Sequence, residues 1–177
     1  MKLYFARHGD TDANANSPID PTSGEIDEPL NKEGALQANE LAEQLKDVHF
    51  DAIISSPLKR AYQTAEIVNK YHNLTIKVDP SWREREIGEY TDPETWTKLF
   101  DFDQDFSLAR SESLKDFFAR IHAAMDDLRQ NYKDKTLLVV SHGGVQHVLY
   151  AHDNELPHAG NVRISPMKNC EYRIYDL

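Results

Sequence analysis

The sequence predicts an α/β fold, a three-layer α/β/α sandwich around a largely parallel central sheet. Three observations lead there. Short apolar runs alternate with segments of helical periodicity. Two of those runs, residues 3–6 and 137–140, are uninterrupted, as strands buried on both faces are. Both lead into a histidine and a glycine, in Arg7-His8-Gly9 and Ser141-His142-Gly143-Gly144. Ligands of such sheets gather beyond the carboxyl ends of the strands, so both histidines are expected at one pocket.

In chain order, residues 3–6 form the first strand, and residues 10–30, rich in Asp, Asn, Pro, Ser and Gly, form a loop long enough to suggest a functional role. Asn31 caps a helix in which Leu36, Ala38, Leu41, Ala42 and Leu45 recur at helical spacing, ending near Asp47. Residues 52–55 are a second strand. Ser56-Pro57 then reads as a helix start, hydroxyl as cap and proline in the first turn. Leu58, Ala61, Tyr62, Ala65 and Val68 make that helix's apolar stripe, leaving Lys59, Arg60, Gln63 and Thr64 on other faces.

Residues 76–78 are a third strand. Residues 88–110 mix aromatics, Asp and Thr without clear periodicity and read as a loop or short-helix cover whose Trp96, Phe100, Phe102 and Phe106 line the entrance or pack the cover to the body. Ser113 and Asp116 resemble a capping box ahead of a helix with Leu114, Phe117, Phe118, Ile121, Ala124, Met125 and Leu128 on one face. Residues 137–140 and 145–150 follow as strand and helix, and residues 162–164 and 171–175 as edge strands.

The 177 residues suit a single domain spanning 1–177, with 88–111 as a lid segment. With 30 Asp and Glu against 20 Lys and Arg, the formal charge of -10 disfavours nucleic-acid and anionic membrane partners. One cysteine, Cys170, makes no internal disulfide and no cysteine-rich metal cluster. The apolar run at the N-terminus is too short for a signal-peptide core, and a cytoplasmic location is the expectation.

An acidic protein that binds phosphate must concentrate its cations locally, and the sequence places candidates beside candidate nucleophiles. Attack on phosphorus through a protein group needs a neutral nucleophile, cations around the non-bridging oxygens, a donor to the leaving oxygen, and backbone room. His8 is the nucleophile candidate, with Gly9 allowing close approach and Arg7 offering bidentate contact. His142 precedes two glycines at a strand-to-helix turn, where free N–H groups favour an anion. Arg60 lies in the first turn of its helix. The segment Trp82-Arg83-Glu84-Arg85-Glu86-Ile87-Gly88 supplies two carboxylates before a glycine, of which Arg85 and Glu86 read as a solvated patch and Glu84 does not. A proton-donating Glu84 needs the protonated form favoured by burial or by an anionic phosphate.

Together these segments resemble the histidine phosphatase superfamily, also called the phosphoglycerate mutase-like family. The resemblance runs through Arg7-His8-Gly9-Asp10-Thr11 with Asn14, Leu30-Asn31 with Gly34, Gln37 and Ala38, Ser55-Ser56-Pro57-Leu58 with Arg60-Ala61 and Gln63-Thr64-Ala65, Arg83-Glu84 with Gly88, Ser111-Glu112-Ser113, and Val140-Ser141-His142-Gly143-Gly144. Asp10 is a shorter acidic variant of its motif position and Ser111 replaces a glycine. The resemblance implies His8 as nucleophile, Glu84 as acid, and a phosphate-binding set of Arg7, His8, Asn14, Arg60, His142 and Gly143, with no cofactor and no metal.

The implied activity is that of a histidine acid-type phosphatase, a phosphomonoester hydrolase that passes a small metabolite's phosphoryl group through phosphohistidine to water. Alternatives are mutase-type transfer back to substrate and a non-catalytic binding protein. Phosphoglycerate mutases of this superfamily carry extra lid sequence with paired basic residues, and residues 92–105 offer no such pair. His142, His147, His152 and His158 are spaced by five, five and six, unlike a helical zinc motif.

Overall fold

A computed structural model of the chain describes residues 1–16, 27–88, 93–104, 108–109, 111–162 and 166–177. Its centre is a five-stranded sheet of β1 Lys2–Arg7, β2 Ala52–Ser55, β3 Ile76–Val78, β4 Thr136–Ser141 and β5 Tyr172–Asp176, in the order β3-β2-β4-β1-β5. All pairings are parallel except that of β5, which runs antiparallel along β1. The helices are α1 Asp12–Asn16, α2 Lys32–Leu45, α3 Lys59–Asn69, α4 Pro93–Leu99, α5 Leu114–Asn131 and α6 Gly143–Asp153.

The pleat sorts the core into two layers. Leu3, Phe5, Ile54, Leu137 and Val139 pack on one face with Phe117, Ile121 and Met125 of α5 and Val145 and Leu149 of α6. Ala6, Ile53, Leu138 and Val140 pack on the other with Ala38 and Leu41 of α2 and Ala61, Ala65 and Val68 of α3. Each such large side chain taken fully out of water contributes about 1.5–3 kcal/mol. The α/β/α sandwich expected from the strand–helix alternation is therefore the fold that forms.

Several expectations change in detail. The 10–30 loop contains a short helix, α1, because Thr11 Oγ1 accepts from Asn14 N at 3.2 Å and caps it; residues 17–26 lie outside the described part. Leu36 is 61% exposed, since it sits about half a turn from the buried Ala38–Leu41–Ala42–Leu45 stripe of α2. Helix α3 begins at Lys59 with Leu58 as cap, and the Ser56 hydroxyl, which accepts from Leu58 N and meets His142 Nε2, caps no N–H of the helix itself. Its Arg60 and Thr64, which the sequence places on faces other than the apolar stripe, are fully buried beside the strand ends. No strand forms at Val162, where Asn161 makes an isolated bridge to Asp101, and residues 163–165 are outside the described part.

The segment between β3 and α5 is fastened to the body. Val162 N donates to Phe100 O at 2.9 Å and Phe102 N to Gly160 O at 2.9 Å, while the Phe102 ring stacks on His158 with centroids 5.1 Å apart. Phe100 and Phe102 are buried, so they pack this segment down and do not line an entrance; the side chains of Trp96 and Phe106 lie outside the described residues. Arg85, expected at the surface, is 1% exposed. Its Nε donates to Glu112 O at 2.9 Å and its Nη1 to Leu99 O, a carbonyl left open at the end of α4. Glu86 keeps its place at the surface, paired with Arg83 at 2.9 Å.

Candidate active site

Strand register brings the two histidines together. In the parallel β1–β4 pair Arg7 faces Ser141, and the next residue of each strand is a histidine. His8 N donates to Ser141 O at 2.9 Å, and the two imidazole centroids lie 5.1 Å apart. Neighbouring β2 ends level with them, Ser55 facing Val140, so Ser56 arrives beside His142. Arg60, the second residue of α3, is fully buried there.

Close backbone approach holds the β1 end against α2. A Cβ on Gly9 would lie 2.5 Å from Gly34 O, and one on Gly34 would lie 2.1 Å from Asp10 O, so neither position has room for a side chain. Gly9 N donates to Thr64 Oγ1 at 3.0 Å, and Thr64 in turn donates to Arg60 O at 2.7 Å. Asn31 Nδ2 donates to Asp10 Oδ2 at 3.1 Å while Asn31 Oδ1 accepts from Gly34 N at 2.8 Å. The short Asp10 side chain thus serves the cap of α2. Ser111 closes its own turn, Oγ donating to Leu108 O at 2.6 Å.

The hydrogen bonds of His8 fix its tautomer. Nδ1 lies 2.7 Å from Gly9 O, which can only accept, so Nδ1 carries the hydrogen. Nε2 is left bare and accepts from Arg60 Nε at 3.2 Å. Burial, then Arg60, then Arg7 hold the His8 pKa well below its usual 6.5, against the opposing Gly9 bond. His142 is lowered likewise by burial, by Arg60, by His8 and by the two arginines Arg7 and Arg120. Two neutral imidazoles therefore sit among guanidinium groups.

Arg7 donates through Nη1 to Met167 O at 2.7 Å, and Gly143, the first residue of α6, lies over its guanidinium. Glu84 is 8% exposed, and its carboxylate accepts from Gly144 N and Arg85 N, both at 2.8 Å. A Cβ on Gly144 would fall 2.1 Å from Glu84 Oε1, so glycine there makes the space for the carboxylate. The expectation of free N–H groups at the amino end of α6 is thereby corrected at Gly144, whose N–H is given to Glu84. Asn14 is half-buried in α1, its Oδ1 accepting from Thr11 Oγ1 at 3.2 Å.

The four histidines weighed as a metal site do not converge. His142 belongs to this pocket, whereas His152 and His158 surround His122 with centroids 5.4 and 5.5 Å away. Among the described residues no group of three His, Cys, Asp or Glu side chains is disposed to hold a metal ion. Sequence reasoning missed Ser56 as a partner of His142 and Thr64 as the link between Gly9 and Arg60. Both stood within the recognised second motif, but Ser56 was read as a cap and Thr64 only as lying off the apolar stripe.

A sheet-end pocket with two neutral histidines, the buried Arg60 beside a partly buried Arg7, and a carboxylate at a helix start defines a phosphoryl-handling site. The chain matches the histidine phosphatase superfamily (branch 1) over residues 3–177 and belongs to that family. It is 37% identical over 149 residues to an uncharacterized phosphatase, PhoE, of Bacillus subtilis (strain 168), covering 83% of this chain and 74% of that protein. It is 33% identical over 153 residues to the "Probable phosphoglycerate mutase GpmB" of Proteus mirabilis (strain HI4320), covering 81% of this chain and 70% of that one. Its fold matches the crystal structure of the alpha-ribazole phosphatase from Shigella flexneri with a TM-score of 0.86 and 25% identity, over 100% of this chain and 91% of that chain.

Proposed function

We propose that the protein is a phosphomonoester hydrolase of the acid type that moves the phosphoryl group of a small phosphorylated metabolite first to His8 and then to water. The observation that carries this reading is the state of His8: its Nδ1 hydrogen is committed to Gly9 O, its Nε2 lone pair faces Arg60, and it is neutral well below pH 6.5. A nucleophile that stays unprotonated in acid is what an acid-type enzyme of this chemistry requires.

In the cycle, Nε2 of His8 attacks phosphorus in line, and the bond from phosphorus to the substrate's bridging oxygen breaks. Arg7, Arg60 and His142, with Asn14 and the Gly143 backbone, hold the non-bridging oxygens. Glu84 gives its proton to the departing alkoxide; the arriving phosphate's charge favours the protonated carboxyl that two amide donors otherwise oppose. The ionised Glu84 then takes a proton from the water that attacks phosphohistidine, releasing phosphate and restoring His8. Positioning and charge stabilisation carry the rate in such transfers.

Mutase-type transfer is the second reading, favoured by the likeness to the Proteus mirabilis protein. Against it, Lys98 is the cation of the described residues 93–104 and its ammonium is held by Glu94 at 2.6 Å, leaving no basic pair for a phosphoglycerate carboxylate. In the phosphatase reading the chain is one domain with 88–111 as its lid; the bonds of Phe100 and Phe102 to residues 160–162 support the single unit. Purified His8→Ala is expected to release no phosphate from p-nitrophenyl phosphate, and wild type quenched in alkali to yield an acid-labile phosphohistidine. Turnover by the variant would overturn the assignment.

A further inference from the structure

Resting on the reading that His142 holds a phosphate oxygen, we propose that Ser56 is a positioning residue that sets the tautomer of His142, keeping its hydrogen on Nδ1 so that the ring presents an N–H donor to the phosphoryl group. Ser56 and His142 are fully buried, and Ser56 Oγ lies 2.7 Å from His142 Nε2. Among the described residues the other partner of that oxygen is Leu58 N, which donates to it at 3.3 Å.

Counting donors and acceptors selects one arrangement. If the hydrogen of His142 were on Nε2, it would point at Ser56 Oγ, which already accepts from Leu58. The serine hydrogen would then have no acceptor, and Nδ1, which has no partner among the described residues, would be a bare buried lone pair. Two buried groups would be left unsatisfied. With the hydrogen on Nδ1, Ser56 accepts from Leu58 and donates to Nε2, and one group remains open, the Nδ1–H. An ionised phosphate oxygen accepts and cannot donate, so it matches an N–H and would be repelled by a lone pair.

His8 and His142 then carry their hydrogen on the same ring atom but use opposite edges. His8 ties its Nδ1–H to Gly9 O and offers a bare Nε2, while His142 ties its Nε2 to Ser56 and offers Nδ1–H. One ring is equipped to attack and the other to hold. The low pKa of His142 makes this choice of neutral tautomer consequential, because a doubly protonated ring would donate from both atoms without help.

The test is the 15N spectrum of the histidine rings in the free protein, together with turnover of p-nitrophenyl phosphate and competitive inhibition by inorganic phosphate. Wild type is expected to show His142 with a protonated Nδ1 and a bare Nε2. Ser56→Ala is expected to shift that signal toward the Nε2–H form and to weaken phosphate inhibition and raise KM by about ten- to hundredfold, the worth of a hydrogen bond to a charged group. Ser56→Thr, which keeps the hydroxyl, restores both. An Nε2–H His142 in wild type, or a Ser56→Ala protein that keeps both the Nδ1–H signal and its phosphate affinity, overturns the proposal. The underlying reading fails separately: wild type that traps no phosphohistidine sinks the phosphatase assignment even where the tautomer is as stated.

Discussion

Arg60 Nε donates to His8 Nε2 across 3.2 Å, so the lone pair proposed to attack phosphorus is held in place by a buried cation before any substrate arrives. That single lone pair cannot both accept this hydrogen and attack, so when substrate arrives the guanidinium must release it and turn its N–H fork to the phosphate oxygens, a geometry that a lysine ammonium on a flexible stem cannot reproduce. Arg60→Ala is expected to lower kcat by about 10²–10³, the usual loss when one preorganised donor at a developing charge is removed. Arg60→Lys recovers only part of it. Steady-state kinetics with p-nitrophenyl phosphate decide the matter, and a kcat for Arg60→Ala within a fewfold of wild type would sink the role.

Glu84 tests as a proton donor through the leaving group. Glu84→Gln keeps a carbonyl that accepts from Gly144 N or Arg85 N but loses the proton. The variant is expected to lose about 10²–10⁴ in kcat on alkyl phosphates, whose alkoxides need protonation, and far less on p-nitrophenyl phosphate. Gly144→Ala, whose Cβ would collide with Glu84 Oε1, should show the same selective loss. Equal losses on both substrate classes would remove Glu84 from the acid's role.

Acid should affect stability before it affects His8. Both His8 and His142 have folded pKa values depressed below 6.5, so each contributes stability that is fully present above that pH and is lost as pH falls from 6.5 through the folded value. The unfolded chain takes up protons over this window while the native pocket does not. Thermal melts are expected to show Tm declining below pH 6.5 in wild type, with a shallower decline in a His8→Asn variant. The acid limb of kcat/KM should lie well below 6.5; a limb at 6.5 or above would contradict a neutral, buried nucleophile.

Arg85 makes a stability prediction of its own. Burial brings its pKa down to about 10, against the pull of Glu112 and then Glu84, so it remains charged at neutral pH. It serves two main-chain carbonyls, Leu99 O and Glu112 O, and lies 5.7 Å from the Phe100 ring centroid. Arg85→Met keeps most of the volume but leaves both carbonyls open, at about 2–4 kcal/mol. For a chain of this size that corresponds to a Tm lower by roughly 5–15 °C. A Tm unchanged within a degree or two would show that water replaces the guanidinium without loss.

What could be read from the sequence follows from the range of the interactions involved. The strands 2–7 and 136–141 and the helices 32–45 and 114–131 were legible because apolar period and local caps, Asn31 to Gly34 N and Ser113 to Asp116 N, agree. The nearness of His8 and His142 was legible because parallel neighbours place their carboxyl ends together. The start of α3 was not, since Ser56 looks like a cap until His142, 86 residues on, claims its hydroxyl. Arg85 looked like a surface charge for the same reason: the carbonyls that justify its burial lie 14 and 27 residues away. Ring tautomers depend on single partner atoms, Gly9 O and Ser56 Oγ, and no residue pattern encodes those.

The pairing of Arg7 with Ser141 has a consequence for how such a protein can diversify. The spacing of the two histidines is a property of strand register, so insertions or deletions in the helices and loops leave it untouched. One residue added within β1 or β4 would instead turn the following histidine to the opposite face of the sheet and abolish the pair. Lengthening, shortening or rewriting the rim is therefore the open route to new specificity, while the central ladder tolerates changes of side chain but none of length.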